Sequence, residues 1–229
     1  DQDVYIPRKF GINWMLENQT LTQVGDEVIY NSNPNPFFIE VAIDKGIDDF
    51  NASPTGSTGY GAAWGDFDND DHFDLYLSNW GDNILFKNNQ GSSFINLSTE
   101  APLESDSLSN GSAWGDFNND GFLDIISSHN FYNPKYAKYS PQKWSDKSVQ
   151  KTILMHGDGT GKFKIAQKLK PAKDGNFIFS TVAEMTSFDF DNDGDVDIIS
   201  SVVGPFYSAS SWVVYENING KLELSDNNI

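Results

Sequence analysis

Residues 61–70 read Gly-Ala-Ala-Trp-Gly-Asp-Phe-Asp-Asn-Asp, and residues 111–120 repeat them closely as Gly-Ser-Ala-Trp-Gly-Asp-Phe-Asn-Asn-Asp. A related third stretch, Ser-Phe-Asp-Phe-Asp-Asn-Asp-Gly, occupies residues 187–194. Each copy leads into a short run of branched and apolar residues, such as Phe-Asp-Leu-Tyr-Leu at residues 73–77. Runs of this kind after turn-forming residues predict β-strands. The chain is therefore expected to consist of internal repeats.

A second pattern, an apolar strand followed by a turn and a large apolar residue, recurs further along each repeat. Its final residues are Phe38, Phe94, Phe163 and Leu222. Both patterns together indicate four units of about four short strands each. They predict an all-β fold of β-propeller-type blades, in which each blade is a four-stranded antiparallel sheet. The whole chain, 1–229, forms one domain, a small or partial propeller, with units at 1–47, 48–103, 104–171 and 172–229 and an insertion at 130–148.

Acidic residues are concentrated in three nine-residue loops, which we call the first (66–74), second (116–124) and third (189–197) loop. Positions one, three, five and nine carry oxygen side chains, and a backbone carbonyl at position seven adds another oxygen ligand for a hard cation. The predicted side-chain ligands are Asp66, Asp68, Asp70, Asp74, Asp116, Asn118, Asp120, Asp124, Asp189, Asp191, Asp193 and Asp197. The predicted carbonyl ligands are those of His72, Phe122 and Asp195.

The ligand chemistry favours calcium. Every side-chain ligand offers oxygen, which disfavours zinc, and a flexible loop with many ligands suits the high coordination number of calcium better than the octahedron of magnesium. Crowded carboxylates repel each other by about 1 to 4 kcal/mol per pair, and a dication removes that repulsion. Gly121 and Gly194 occupy position six, where the chain turns sharply, whereas the first loop has Asp71 there. We predict about three Ca²⁺ ions with a structural role.

The composition excludes several other classes of function. The formal net charge is −18, from 33 acidic and 15 basic residues, and such a field repels nucleic acid and anionic membranes. No apolar run is long enough to span a bilayer. The absence of cysteine excludes disulfides, thiolate metal sites and a cysteine nucleophile. Asn-x-Ser/Thr sequons, which matter only in a secreted eukaryotic chain, occur at Asn18, Asn51, Asn96 and Asn110.

The motif Gly-x-x-Trp-Gly-Asp-Phe-Asp-Asn-Asp-x-x-x-Asp-Leu, which begins at Gly61, resembles the FG-GAP/VCBS repeat family of integrin α-like propellers. The resemblance covers three units well and the N-terminal unit through its second half. It implies that the loop residues named above bind calcium. It also implies an extracellular protein, secreted or at the cell surface, that serves adhesion or the binding of a glycan or protein. Between Phe10 and Asn18 only Glu17 is acidic, so no metal is expected in that unit.

We expect no catalytic activity, because no nucleophile motif, metalloprotease helix or phosphate loop is present. His72, His129 and His156 are interpreted as loop and turn residues. Two alternatives stay open. The chain can be a structural protein of an extracellular assembly or filament built from further copies of itself. It can also be the non-catalytic part of a secreted enzyme, such as a carbohydrate-active one.

The aromatic residues indicate where a ligand can bind. The insertion at 130–148 combines five aromatic residues with four lysines in an acidic chain, so it is either a binding surface or a loop packed on its own domain. Trp64 and Trp114 recur in phase, which predicts a role in packing between blades. Trp80 and Trp212 have no equivalent in the other repeats and are expected to be exposed.

Overall fold

A computed structural model describes the chain in segments that include all three acidic loops. The described residues are 3–6, 14–24, 27–30, 38–48, 59–79, 83–98, 109–129, 152–169, 173–174, 177–178, 181–203 and 210–225. Within them, regular structure is almost entirely β, with a single helical turn, α1 (Ala42–Lys45). No helix in this part of the chain is long and apolar enough to cross a membrane. The predicted all-β class is confirmed.

Three sheets of the described chain share one design, in which four consecutive strands pair antiparallel in chain order. The first blade contains β6 (Gly59–Gly65), β7 (Asp74–Asn79), β8 (Ile84–Asn89) and β9 (Ser93–Asn96). The second contains β10 (Ser109–Gly115), β11 (Asp124–His129), β12 (Thr152–Gly157) and β13 (Phe163–Leu169). After the hairpin β14 (Lys173–Asp174) and β15 (Phe177–Ile178), the third contains β16 (Thr181–Phe188), β17 (Asp197–Val203), β18 (Ser210–Asn217) and β19 (Leu222–Leu224). The predicted four-stranded blades are confirmed in these units.

The N-terminal unit differs from the three blades in its described part. Its sheet contains β1 (Val4–Ile6), β2 (Trp14–Asn18) and β5 (Phe38–Glu40), in the order β1-β2-β5. The strands β3 (Leu21–Val24) and β4 (Glu27–Tyr30) pair only with each other. The sequence pattern predicts the strand at 28–30 next to Phe38, as in the blades, but β4 pairs with β3 instead. Only two residues separate β3 from β4, and such a short connection favours a hairpin.

The sheets pack face to face, with apolar side chains pointing alternately to each neighbour. In β7, Leu75 and Leu77 join the N-terminal sheet in one core cluster, while Tyr76 joins the second blade in another. A third cluster in the described residues lies between the second and third blades and contains Phe117 and Ile198. The first strands β6, β10 and β16 are neighbours. Period-two alternation therefore gives the first and second blades two buried faces, which is the packing of a propeller-type stack.

Trp114 shows why the repeat motif contains both tryptophan and glycine. A Cβ on Gly65 of the first blade would lie 2.7 Å from the Trp114 ring, so only glycine allows this approach. The indole N–H donates to the carbonyl of Ala63 at 3.0 Å. Trp64 lies edge-on to Tyr5 of the N-terminal sheet, with ring centroids 6.3 Å apart. Both tryptophans therefore contribute to packing between sheets, as predicted.

The structure describes one of the predicted ligand surfaces and does not describe the others. Trp212 is 54% exposed, as expected. Trp80, the insertion at 130–148 and the side chain of His129 lie outside the described residues. The role of the insertion therefore stays a prediction.

Candidate metal centres

The three acidic loops occupy equivalent places. Each connects the first strand of a blade to its second: β6 to β7, β10 to β11, and β16 to β17. The ninth loop position is in every case the first residue of the second strand, namely Asp74, Asp124 and Asp197. The loops therefore lie at the same end of three neighbouring blades.

The aspartate at position one organises the backbone of each loop. In the first loop, Asp66 accepts the N–H of Asp70 at Oδ1 (3.0 Å) and the N–H of Asp71 at Oδ2 (2.9 Å). The corresponding distances are 3.0 and 2.9 Å in the second loop and 3.2 and 3.1 Å in the third. The position-five carboxylate then accepts the N–H of position seven in every loop. Spacing alone thus produces one shared loop conformation.

The aspartate at position nine fixes each loop to its blade. Asp74 is fully buried, and its carboxylate accepts the N–H groups of Phe67 (3.1 Å) and Asn88 (2.8 Å). Asp124 and Asp197 make the same two kinds of contact, to position two of the loop and to the third strand. Burial raises the pKa of both Asp74 and Asp124 to about 6. These carboxylates are poorly solvated, so a nearby cation would stabilise their charged form.

The first and third loops have the geometry that a metal ion requires. Among the described residues, each brings three carboxylate oxygens within 4.8 Å of one another: those of Asp66, Asp68 and Asp74, and those of Asp189, Asp191 and Asp197. Calcium–oxygen distances are about 2.3–2.6 Å, so ligands on opposite sides of one ion lie up to about 5 Å apart. The residues present therefore fit a calcium-sized ion.

Two further observations support these sites. Asp68 Oδ1 is shielded from solvent and has no hydrogen-bond partner within the described structure, so it offers a free ligand oxygen. In the third loop, partial desolvation and then the carboxylates of Asp193, Asp197 and Asp189 raise the pKa of Asp191. Both loops hold negative charge that the protein compensates incompletely, which favours a cation.

The second loop keeps the shared backbone but does not bring three carboxylates together. Asn118 stands at position three, and its Nδ2 donates to Asp120 Oδ2 at 2.9 Å. Its Oδ1 accepts the N–H of Asp120 at 3.0 Å. The amide group thus already binds one predicted ligand, and the loop has one negative charge fewer at position three.

One residue on the third strand of each blade holds the same position relative to the loop, and sequence reasoning missed it. These residues are Lys87, His156 and Glu216, each directly before the residue whose N–H is donated to the position-nine aspartate. Lys87 contacts Asp68 and Asp70, and His156 Nε2 lies 3.9 Å from Asp124. Their recurrence at the fourth position of in-phase strands could have identified them. Those strands read Ile-Leu-Phe-Lys, Ile-Leu-Met-His and Val-Val-Tyr-Glu.

Direct hydrogen bonds link successive loops. Asn69, at position four of the first loop, donates from Nδ2 to the carbonyl of Gly121 in the second loop at 3.0 Å. Asn119, at position four of the second loop, donates to Asp195 Oδ1 of the third at 2.7 Å. Both asparagines have a left-handed backbone, with φ of 58° and 56°. The three loops therefore form one connected row.

A cleft of about 470 Å³ lies between the N-terminal sheet and the first blade. Its lining includes the aromatic rings of Trp64, Phe73 and Phe94 and the carboxylates of Asp3 and Asp71. Phe73, at position eight of the first loop, is 66% exposed. The cleft combines aromatic surface with polar groups, as ligand sites do.

The fold and the loops together define the class of protein: an all-β chain of propeller-type blades with acidic loops at one end. Residues 66–127 match the model of the FG-GAP-like repeat family. The match contains the first and second loops and strands β7 to β10, and it confirms the resemblance inferred from the sequence. No curated protein matches the chain.

The predicted ligands thus fall into two sets. The first and third loops each bring their position-one, position-three and position-nine aspartates together. Asp70, Asp120 and Asp193 at position five use one oxygen for a loop N–H. A ligand role stays a prediction for all of these residues, for Asp116, Asn118 and Asp124 of the second loop, and for the carbonyls of His72, Phe122 and Asp195.

Proposed function

We propose that the acidic loops bind Ca²⁺ and that the chain is an extracellular β-propeller-type module for adhesion or ligand binding. The proposal rests on two clusters of three carboxylates, in each of which the oxygens lie within 4.8 Å of one another. One cluster is Asp66, Asp68 and Asp74, and the other is Asp189, Asp191 and Asp197. Three anionic oxygens at this separation match the size and charge of calcium. Zinc is disfavoured because cysteine is absent from the chain and no histidine belongs to either group.

The proposed role of the ion is structural. The position-nine aspartate starts the second strand and also accepts an N–H from the third, so an ion bound to Asp74 or Asp197 connects the loop to two strands. The interloop bonds of Asn69 and Asn119 extend this connection across the blades. Calcium would therefore stabilise the arrangement of the whole row of loops. We propose no catalytic role for these carboxylates.

The proposed ligand surface follows from exposed aromatic groups. Two described candidates are the cleft lined by Trp64, Phe73 and Phe94 and the exposed ring of Trp212. Aromatic faces with nearby polar groups suit a sugar ring or a protein side chain, and they lose little side-chain entropy on binding. The extracellular location rests on the resemblance to FG-GAP-like repeats.

Isothermal titration of the chelator-treated protein with Ca²⁺, Mg²⁺ and Zn²⁺ tests the proposal. We expect calcium to bind in preference to the other two ions. Asp68→Ala and Asp191→Ala should each remove one binding event. Ser93→Ala, in the outer strand of the first blade, is the control and should leave all binding unchanged. If calcium does not bind the wild-type chain, or binds both aspartate variants at full stoichiometry, the proposed sites are wrong.

Light scattering in the same calcium series distinguishes a binding module from an assembly protein. A monomeric particle at millimolar calcium supports the module. Growth of the particle with calcium would support instead a structural protein built from further copies of the chain.

A further inference from the structure

Lys87 places a positive charge inside the first loop. Its ammonium group contacts Asp68 Oδ2 and lies 3.0 Å from Asp70 Oδ2. The same nitrogen is 5.8 Å from the centre of the Phe67 ring, and the side chain is 29% exposed. Lys87 therefore directly contacts predicted ligands at positions three and five.

The corresponding position differs in charge in every blade. Lys87, His156 and Glu216 each precede the third-strand residue whose N–H binds the position-nine aspartate, so their strand positions are equivalent. Glu216 accepts a hydrogen bond from Ser225 at 2.6 Å and adds a negative charge to the strand beside the third loop. The first and third loops each contain five aspartates, but only the first has a lysine at this position that offsets their charge.

We propose that Lys87 is a built-in counter-cation of the first loop that competes with calcium there, so that the third loop binds calcium before the first loop. The inference rests on the proposed calcium function and extends it to the order in which the sites fill. A dication at Asp66, Asp68 and Asp74 must displace the ammonium group from Asp68 or tolerate it as a like charge a few ångströms away. Either requirement weakens binding, by about tenfold for a partly exposed charge.

The same contact has the opposite effect when calcium is scarce. The ammonium group offsets the mutual repulsion of Asp68 and Asp70, which keeps the first loop in its shared conformation. The third loop has no equivalent lysine at its third-strand position, where Glu216 stands. The first loop is therefore proposed to stay ordered at low calcium, whereas the third loop depends on the ion.

Lys87→Met tests this inference, because methionine keeps an unbranched side chain over Phe67 and removes the charge. Lys168→Met removes the same charge from the outer strand of the second blade, opposite Ile153, and controls for net charge. Calorimetric titration should show that Lys87→Met tightens one calcium site about tenfold, while Lys168→Met changes it little. The gain should disappear in an Asp68→Ala background, which assigns it to the first loop.

Thermal unfolding gives a second readout. In chelator, Lys87→Met should melt below Lys168→Met, and at saturating calcium it should melt at or above it. Lys87→Arg, which keeps the charge, should behave like the wild type. Calcium binding with no difference between Lys87→Met and Lys168→Met in either assay would overturn the inference and leave the proposed function intact. Failure of both variants and the wild type to bind calcium would overturn both.

Discussion

The second and third loops have the same spacing of oxygen side chains and the same backbone hydrogen bonds, yet they arrange their carboxylates differently. The second loop lies within the stretch that matches the FG-GAP-like repeat family, and the third loop lies outside it. Nevertheless, the third loop brings Asp189, Asp191 and Asp197 within 4.8 Å of one another. In the second loop, Asn118 binds Asp120 instead. Similarity to the repeat and suitability for a metal are therefore separate properties.

The difference shows which residues control which property. The aspartates at positions one and nine accept backbone N–H groups in both loops, so they set the loop conformation whatever stands between them. Position three makes no contact that both loops need for folding beyond accepting the N–H of position five. The residue at position three can therefore change the net charge of the loop without changing the loop conformation. An aspartate there adds a full negative charge, and an asparagine adds only a dipole.

The largest expected effect is that of removing calcium from all loops together. If calcium is present at about ten times its dissociation constant, each site contributes roughly 1.4 kcal/mol, so three contribute roughly 4 kcal/mol. In a chain of this size, chelation should lower the melting temperature by about 10 °C. Differential scanning calorimetry with and without chelator measures the shift. Identical melting curves, together with metal analysis that finds no calcium, would contradict the structural role of the ion.

The next effect separates the two loops directly. Asp191→Ala removes a carboxylate from the third loop, and we expect the calcium affinity of that loop to fall by far more than tenfold, so that its binding event disappears from the titration. Asn118→Ala removes only a neutral ligand from the second loop and should cost a few-fold. Calorimetric titration of the two variants side by side gives the comparison. Equal losses would mean that position three does not act as a ligand in the proposed way.

The converse substitution should make the second loop resemble the third. Asn118→Asp replaces the amide that donates to Asp120, and it places a third carboxylate near Asp116 and Asp124. We expect tighter calcium binding by several-fold and lower stability in chelator, because the added charge is then repelled. Asn119→Asp, one residue further along, is the matched charge control. If both variants gain the same calcium affinity, the gain comes from the added negative charge in general and not from a new ligand at position three.

The smallest effect concerns position six. Asp71 has a left-handed φ of 68°, whereas the second and third loops have Gly121 and Gly194 there, with φ of 90° and 96°. Asp71→Gly should relieve this strain and stabilise the protein by up to about 1 kcal/mol, since an aspartate adopts this conformation at some cost. Urea denaturation measures the change. Asn69→Gly provides a contrast, because it removes the side chain that donates to Gly121. It should destabilise or be neutral, and an equal gain in both would refute the strain argument.

The local features of this protein follow from its amino-acid sequence. The strand alternation, the three loops and the packing role of Trp64 and Trp114 were all predictable. The reason is physical: alternation with period two follows from strand geometry, and the hydrogen bonds of Asp66 to Asp70 and Asp71 lie within six consecutive residues. Nothing distant in the chain is needed to form these hydrogen bonds within the loop.

The surroundings of each loop, and the contacts between loops, depend on how distant parts of the chain pack together. Lys87 reaches Asp68 because β8 pairs with β7, across 19 residues of chain. Asn119 reaches Asp195 across 76 residues, because neighbouring blades pack with their loops at one end. Likewise, β5 pairs directly with β2 because the hairpin β3–β4 between them in the chain lies outside that sheet. Such contacts depend on the pairing and packing of distant segments, which the local spacing of acidic residues does not specify.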